Sequence, residues 1–160
     1  MNYGLYFLEK EGLYEGVKAL LSKHIPAPIE ILHTACGKPY VEGNPLYFSL
    51  SHSGERAVAA ISKSPIGVDF ELFTGKRRSA VINRFSERER GEIHDEGDFL
   101  RHWTAREAYI KLKGLTLAQT LKHLEFDGGE LFFKDERLSV KIDFYEKEDG
   151  VIAVCTEQII

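Results

Sequence analysis

Cysteine is scarce in this 160-residue sequence: Cys36 and Cys155 are its two thiols, far apart and outside any metal-ligand spacing. That argues against a disulfide framework or a zinc site and suits a reducing compartment. No hydrophobic run reaches membrane-spanning length. The apolar patch within residues 1–10 is too short for a signal peptide and is interrupted by Glu9 and Lys10. A cytoplasmic protein without membrane contact is expected. Positive charge is not in excess either, and a formal net charge of −4 weighs against a nucleic-acid partner. Lys76-Arg77-Arg78, followed by Arg84, Arg88 and Arg90, is a local exception, either a solvated helix surface or a basic face. Low-complexity tracts and Gly/Pro/Ser linkers are absent, which leaves no case for disorder.

With 43% apolar residues, the chain can bury enough surface to fold as one compact unit or as two small subdomains sharing a core. Residues 3–8 have strand composition, and Leu13, Val17, Leu20 and Leu21 give helical spacing over 13–24, ended by Pro26 and Pro28. Short strands are predicted at 29–33 and 46–51, with a turn at 37–40. Strands at 58–61 and 66–72 are joined by Ser62-Lys63-Ser64-Pro65, which reads as a hairpin-like connection. Ser86 and Glu89 have capping-box form and open a short helix towards His94. A longer helix is predicted from about Gly97 to Lys113, with Gly114 as its C′ residue. Strands at 131–133, 138–145 and 151–155 close the chain. The expected class is α+β, a helix with antiparallel sheet twice in tandem, divided near Pro65 into residues 1–65 and 66–160. No residue-level repeat supports duplication.

Two segments carry most of the chemistry. In Ile66-Gly67-Val68-Asp69-Phe70-Glu71-Leu72 the acids lie two apart on a strand, so they share a face while Val68, Phe70 and Leu72 face away. Two neighbouring carboxylates repel, and if both are ionised the simplest remedy for hard oxygen ligands is Mg²⁺; an exposed, solvated strand face is the alternative. Gly67 permits close backbone approach. In Trp103-Thr104-Ala105-Arg106-Glu107-Ala108-Tyr109-Ile110-Lys111, Phe99, Trp103, Glu107 and Ile110 form one helical stripe, so Glu107 interrupts a buried side and needs a partner. Lys111 is that partner as a simple ion pair, or both converge on a metal-bound phosphate. Thr104 and Glu107 also have capping-box spacing. Phe48-Ser49-Leu50-Ser51-His52-Ser53-Gly54 closes a strand with hydroxyls and an imidazole, suited to an anion site or to a locally bonded turn. Strand geometry argues against a Ser51–His52 dyad, since adjacent residues point to opposite faces, and no G-x-S-x-G elbow is present.

In register, these segments resemble the 4′-phosphopantetheinyl transferases, in particular the single-chain group related to the surfactin-synthetase activator. The likeness covers nearly the whole chain: Gly37-Lys38-Pro39, Phe48 to Ser53, Ile66 to Glu71, Phe85-Ser86-Glu87-Arg88-Glu89 and Trp103 to Lys111. It implies a pseudo-twofold α+β architecture and transfer of the phosphopantetheine arm of coenzyme A to a serine of an acyl or peptidyl carrier protein, releasing 3′,5′-ADP. It further implies Asp69, Glu71 and Glu107 as Mg²⁺ ligands, with Glu107 also taking the serine proton directly or through water. Lys111 matches the lysine at the coenzyme A pyrophosphate, and Ser51 and His52 match residues holding the 3′-phosphate. Lys38 and Pro39 match the turn lining the nucleotide pocket. Arg106 stands where the family usually has lysine, preserving charge but not reach. Before Ile66 the chain is shorter than typical relatives and lacks a basic nucleotide-binding segment, for which Lys23, His24 or Lys38 are candidate substitutes. A monomer is expected. Two other readings stay open: a non-catalytic module binding coenzyme A or a carrier, and a Mg²⁺-dependent phosphohydrolase.

Overall fold

The computed structural model describes residues 3–76 and 78–158, so Arg77 of the basic cluster lies outside the described residues. β1 (Tyr3–Glu9) leads into α1 (Leu13–Leu21), which buries Leu13, Val17 and Leu21 at i, i+4 and i+8. The helix ends a turn before His24, whose amide reaches back only to the Leu21 carbonyl. A two-stranded ribbon follows, β2 (Leu32–His33) and β3 (Pro39–Tyr40), bent at Gly37 with φ of +80°. β4 (Tyr47–Ser53) and β5 (Arg56–Ser62) complete an antiparallel sheet in the order β1-β5-β4. The hydrophobic stripe of α1 covers one face of this sheet at Phe48, Ala57, Ala59 and Ile61.

β6 (Ile66–Leu72) then leaves that sheet. The hairpin-like connection expected across Ser62-Lys63-Ser64-Pro65 is corrected: β5 already has β1 on one edge and β4 on the other, so no edge remains for the next strand. Four helices and a small sheet follow: α2 (Ser79–Ile82), α3 (Glu87–Glu92), α4 (Glu96–Lys113), α5 (Leu117–Thr120), then β7 (Leu124–Asp127), β8 (Glu130–Phe133) and β9 (Glu136–Arg137). β10 (Val140–Lys147) and β11 (Gly150–Glu157) form a hairpin whose second strand pairs with β6, giving the order β10-β11-β6. The fold is mixed α+β, with helices set against several antiparallel sheets.

The main sheets meet in two ways. Val58 and Ala60 of β5 share a core with Ile66, Val68, Phe70, Ile152 and Val154. In addition, β4 lies along the free edge of β6 without main-chain pairing. The hydroxyls of Ser49, Ser51 and Ser53 accept from the amides of Val68, Phe70 and Leu72 at 3.0, 3.1 and 3.0 Å. Side-chain oxygens thus satisfy an edge that would otherwise bury unpaired N–H groups.

α4 is the element that brings the site together. Asp95 caps its N-terminus by accepting from the Asp98 amide at 2.9 Å, and Gly114 closes it in the left-handed conformation with φ of 65°. Thr104 therefore lies inside the helix, its hydroxyl on the Leu100 carbonyl at 2.7 Å, and not at a cap. The helix packs on β6 at Gly67, where a Cβ would come within 1.9 Å of the Ala108 carbonyl oxygen. Only glycine allows this approach.

Candidate active site

α4 runs antiparallel to β6, so successive helical turns meet successive acids of the strand. Lys111 places its ammonium 2.7 Å from Asp69 Oδ1 and 3.0 Å from Ser51 Oγ. About two turns earlier on the helix, the Trp103 indole helps to hold the Glu71 carboxylate in its charged form, and Arg78 stands 3.9 Å from Glu71 Oε2. Glu107 lies between these contacts on the same helix. Burial, and then the charge of Asp69, push its carboxyl up to about 7, against the partial relief that Lys111 gives. Glu71 is raised for the same two reasons in the same order, with Arg78, Trp103 and Lys111 opposing. Three carboxylates close enough to repel one another therefore share one lysine, with Arg78 beside Glu71 alone.

The donor set suits a hard divalent cation. Asp69 is 4% exposed, and its Oδ2 is buried without a hydrogen-bond partner among the described residues. A buried carboxylate oxygen left in that state is costly unless a cation takes it. As placed, with Lys111 against Asp69, no three His, Cys, Asp or Glu side chains among the described residues converge to metal-ligating distance. The observations that favour a cation are the orphaned oxygen and the mutual repulsion.

Beside the acids lies a cavity of about 360 Å³, lined by Lys38 and Pro39, by Ser49, by Glu107 and Lys111, and by residues 114–117. It brings together four side chains that the sequence singled out from segments seventy residues apart. Lys38 is held by the C-terminus of α4, its ammonium donating to the Leu112 carbonyl at 2.8 Å; burial and then Lys113 lower its pKa. Lys23 and His24, the other candidate substitutes for the basic segment, are exposed and do not line this cavity. Ser51 is 6% exposed and joined to Asp69, whereas His52 is exposed on the opposite face of β4, as alternation dictates.

Arg106 is a correction. It is 1% exposed, so it does not reach the cavity: Nε donates to the Leu124 carbonyl at 3.0 Å, Nη1 to the His102 carbonyl at 3.3 Å, and Nη2 to Glu89. Its guanidinium also stacks 4.0 Å from the Phe85 ring centroid. The cause is helical phase, since the residue before Glu107 is turned about 100° from it. Glu89, fully buried, was legible only as half of a capping box. That box is present, yet the same side chain also accepts from the Phe126 amide at 2.9 Å and pairs with Arg106. The serine repeat at 49, 51 and 53 is the period-two signal in the sequence that corresponds to the seam between β4 and β6.

The family model described as the 4′-phosphopantetheinyl transferase superfamily matches residues 65–155, which include all three acids and Lys111. The chain is 28% identical over 141 residues to the 4′-phosphopantetheinyl transferase psf-1 of Bacillus pumilus, covering 76% of this chain and 58% of that protein. A 4′-phosphopantetheinyl transferase of Bacillus subtilis is 33% identical over 101 residues, 58% of this chain and 45% of its own. The transferase AcpT of Salmonella typhi is 33% identical over 107 residues, 61% of this chain and 56% of its own. The chain thus spans about half the length of these relatives. With a family match across more than half of its residues, running from β6 through α4 to β11, the chain belongs to the 4′-phosphopantetheinyl transferase superfamily.

Proposed function

We propose that this protein transfers the 4′-phosphopantetheine arm of coenzyme A to a serine hydroxyl of an acyl or peptidyl carrier protein and releases 3′,5′-ADP. The observation that carries this reading is the set of Asp69, Glu71, Glu107 and Lys111 beside a cavity that also contains the Lys38-Pro39 turn. Asp69, Glu71 and Glu107 would hold Mg²⁺, and Lys111, Lys38 and Pro39 would contact coenzyme A. When bound, Mg²⁺ supplies positive charge at the pyrophosphate oxygens. Lys111 is the side chain that exchanges its bond to Asp69 for one to a phosphate oxygen. A nucleophilic serine needs alignment and loss of its proton, and Glu107, beside the cavity, is the carboxylate that would take it directly or through water.

The finer architecture belongs to the same proposal: two tandem subdomains, residues 1–65 and 66–160, related by a pseudo-twofold axis and functioning as a monomer. The passage from one three-stranded sheet to another at Pro65 supports it. Among the described residues no helix is long and apolar enough to cross a membrane, which is compatible with a cytoplasmic enzyme.

The test is to incubate the protein with coenzyme A, Mg²⁺ and a panel of apo-carrier proteins and to weigh the carriers by mass spectrometry. Addition of phosphopantetheine to a carrier is the expected result. No modification of any carrier, with coenzyme A still bound, would put the binding-module reading ahead. Phosphate release without a carrier would favour the phosphohydrolase.

A further inference from the structure

The serine seam between β4 and β6 divides its labour by valence. A hydroxyl has one hydrogen to donate and two lone pairs to accept with. Ser51 has all of these in use: it donates to Asp69 Oδ1 at 2.9 Å and accepts from the Phe70 amide at 3.1 Å and from Lys111 at 3.0 Å. Ser53 accepts from the Leu72 amide at 3.0 Å and donates, at 3.4 Å, to Glu71. Ser49 accepts from the Val68 amide at 3.0 Å, but among the described residues no acceptor takes its hydrogen. Ser49 is 3% exposed and is also the serine of the seam that lines the cavity beside Glu107 and Lys111.

We propose that the hydroxyl of Ser49, and not that of Ser51, is the neutral donor which β4 offers to a phosphate oxygen of the ligand in this cavity, while Ser51 is a positioning residue for Asp69 and Lys111. The identity of that ligand as coenzyme A rests on the transferase reading. For Ser51 to donate to a phosphate it would have to release Asp69 Oδ1, leaving that oxygen to Lys111 alone on a carboxylate whose Oδ2 is already without a partner among the described residues. Ser49 gives up nothing: the Val68 bond uses its lone pair, and the hydrogen is left over. As a residue of the cavity lining, it adds a directional contact that lysines, as mobile point charges, do not provide.

Isothermal titration calorimetry with coenzyme A, in Mg²⁺ and again in EDTA, tests the assignment. Ser49→Ala should weaken binding about tenfold or more in both conditions, the loss expected for a hydrogen bond to a charged oxygen. Ser49→Thr should restore affinity to within about threefold, since it keeps the hydroxyl. Ser49→Cys, near-isosteric and a weak donor, reads out the same contact should the alanine variant not fold. Ser51→Ala should lose clearly less affinity than Ser49→Ala in EDTA, and in addition lose most of the gain that Mg²⁺ gives the parent protein. Parent binding of coenzyme A with no effect of Ser49→Ala or Ser49→Cys overturns the Ser49 assignment alone, as does an equal loss for Ser51→Ala in both conditions. Failure of the parent to bind coenzyme A at all overturns the transferase reading and this assignment with it.

Discussion

Replacing Glu89 by glutamine should be among the most damaging single changes away from the acids. Glu89 is fully buried, and it faces Arg106 at 1% exposure, the Phe126 amide and the ring of His102. Glutamine keeps the volume and can still accept from Phe126, but it leaves a guanidinium inside the protein with no carboxylate bonded to it and only the weaker influence of Glu125. Breaking a buried pair from one side costs about 3–5 kcal/mol, a large share of the total stability of a domain this size. The pKa shift of Glu89 points the same way. Burial alone would raise it, but the His102 hydrogen bond, the charge and hydrogen bonding of Arg106 and the Phe126 amide together lower it from 4.5 to about 2. Because the native carboxylate binds its proton more weakly than the unfolded one, its contribution is complete above about pH 4.5 and is lost as pH falls towards 2. That contribution is about 3 kcal/mol, consistent with the first figure. Urea unfolding at pH 7 should show Glu89→Gln losing about 3 kcal/mol, and between pH 5 and pH 3 its stability should fall less steeply than that of the parent. The double variant Glu89→Leu, Arg106→Met should lose much less than the two single losses combined. A Glu89→Gln loss below about 1 kcal/mol, with an unaltered acid limb, would refute the reasoning.

Gly67→Ala should push α4 away from β6, because the new Cβ would meet the backbone at the Ala108 oxygen and at the Leu112 nitrogen, 2.5 Å away; a loss of about 2 kcal/mol or more is expected in thermal unfolding, together with a fall in phosphopantetheine transfer. Glu107→Gln relieves repulsion by Asp69, so without Mg²⁺ the variant should unfold at or above the parent midpoint at pH 8, while transfer drops at least about tenfold. The sign follows from the raised pKa: the ionised Glu107 of the native state is the destabilised form, so that penalty grows as pH rises through about 7. Ser86→Ala removes the acceptor for the Glu89 amide and should cost about 1 kcal/mol in the same unfolding assay, with transfer unchanged.

Features set by local chemistry were legible in the sequence. The capping box at Ser86 and Glu89, the glycine that ends α4 at 114, and the shared face of Asp69 and Glu71 each depend on a few neighbouring residues and on the period of a helix or strand. What was not legible depends on partners distant in the chain. The course of β6 is decided by β1 and β4 having already occupied β5, and no feature of Ser62 to Pro65 reveals that. Arg106 was assigned to the ligand by its place in a motif, but its direction is set by Glu89 and by the Leu124 carbonyl, seventeen and eighteen residues away on either side. The cavity joins the Lys38 turn to α4 through the bond from Lys38 to the Leu112 carbonyl, a contact between surfaces that no single segment encodes.

The serine seam also bears on how the molecule can vary. Strands joined by main-chain hydrogen bonds tolerate almost any side chain at the joint, whereas here the joint is written in three side chains at alternate positions. Slide β4 by one residue and Leu50 and His52 face β6 in their place, so the alignment of the two sheets is keyed like a lock and not merely glued. Each sheet keeps its own backbone ladder whatever happens at the seam. Substitutions at positions 49, 51 and 53 that keep an acceptor for the amides of β6 can therefore retune the spacing between the acids and the cavity wall without touching either ladder.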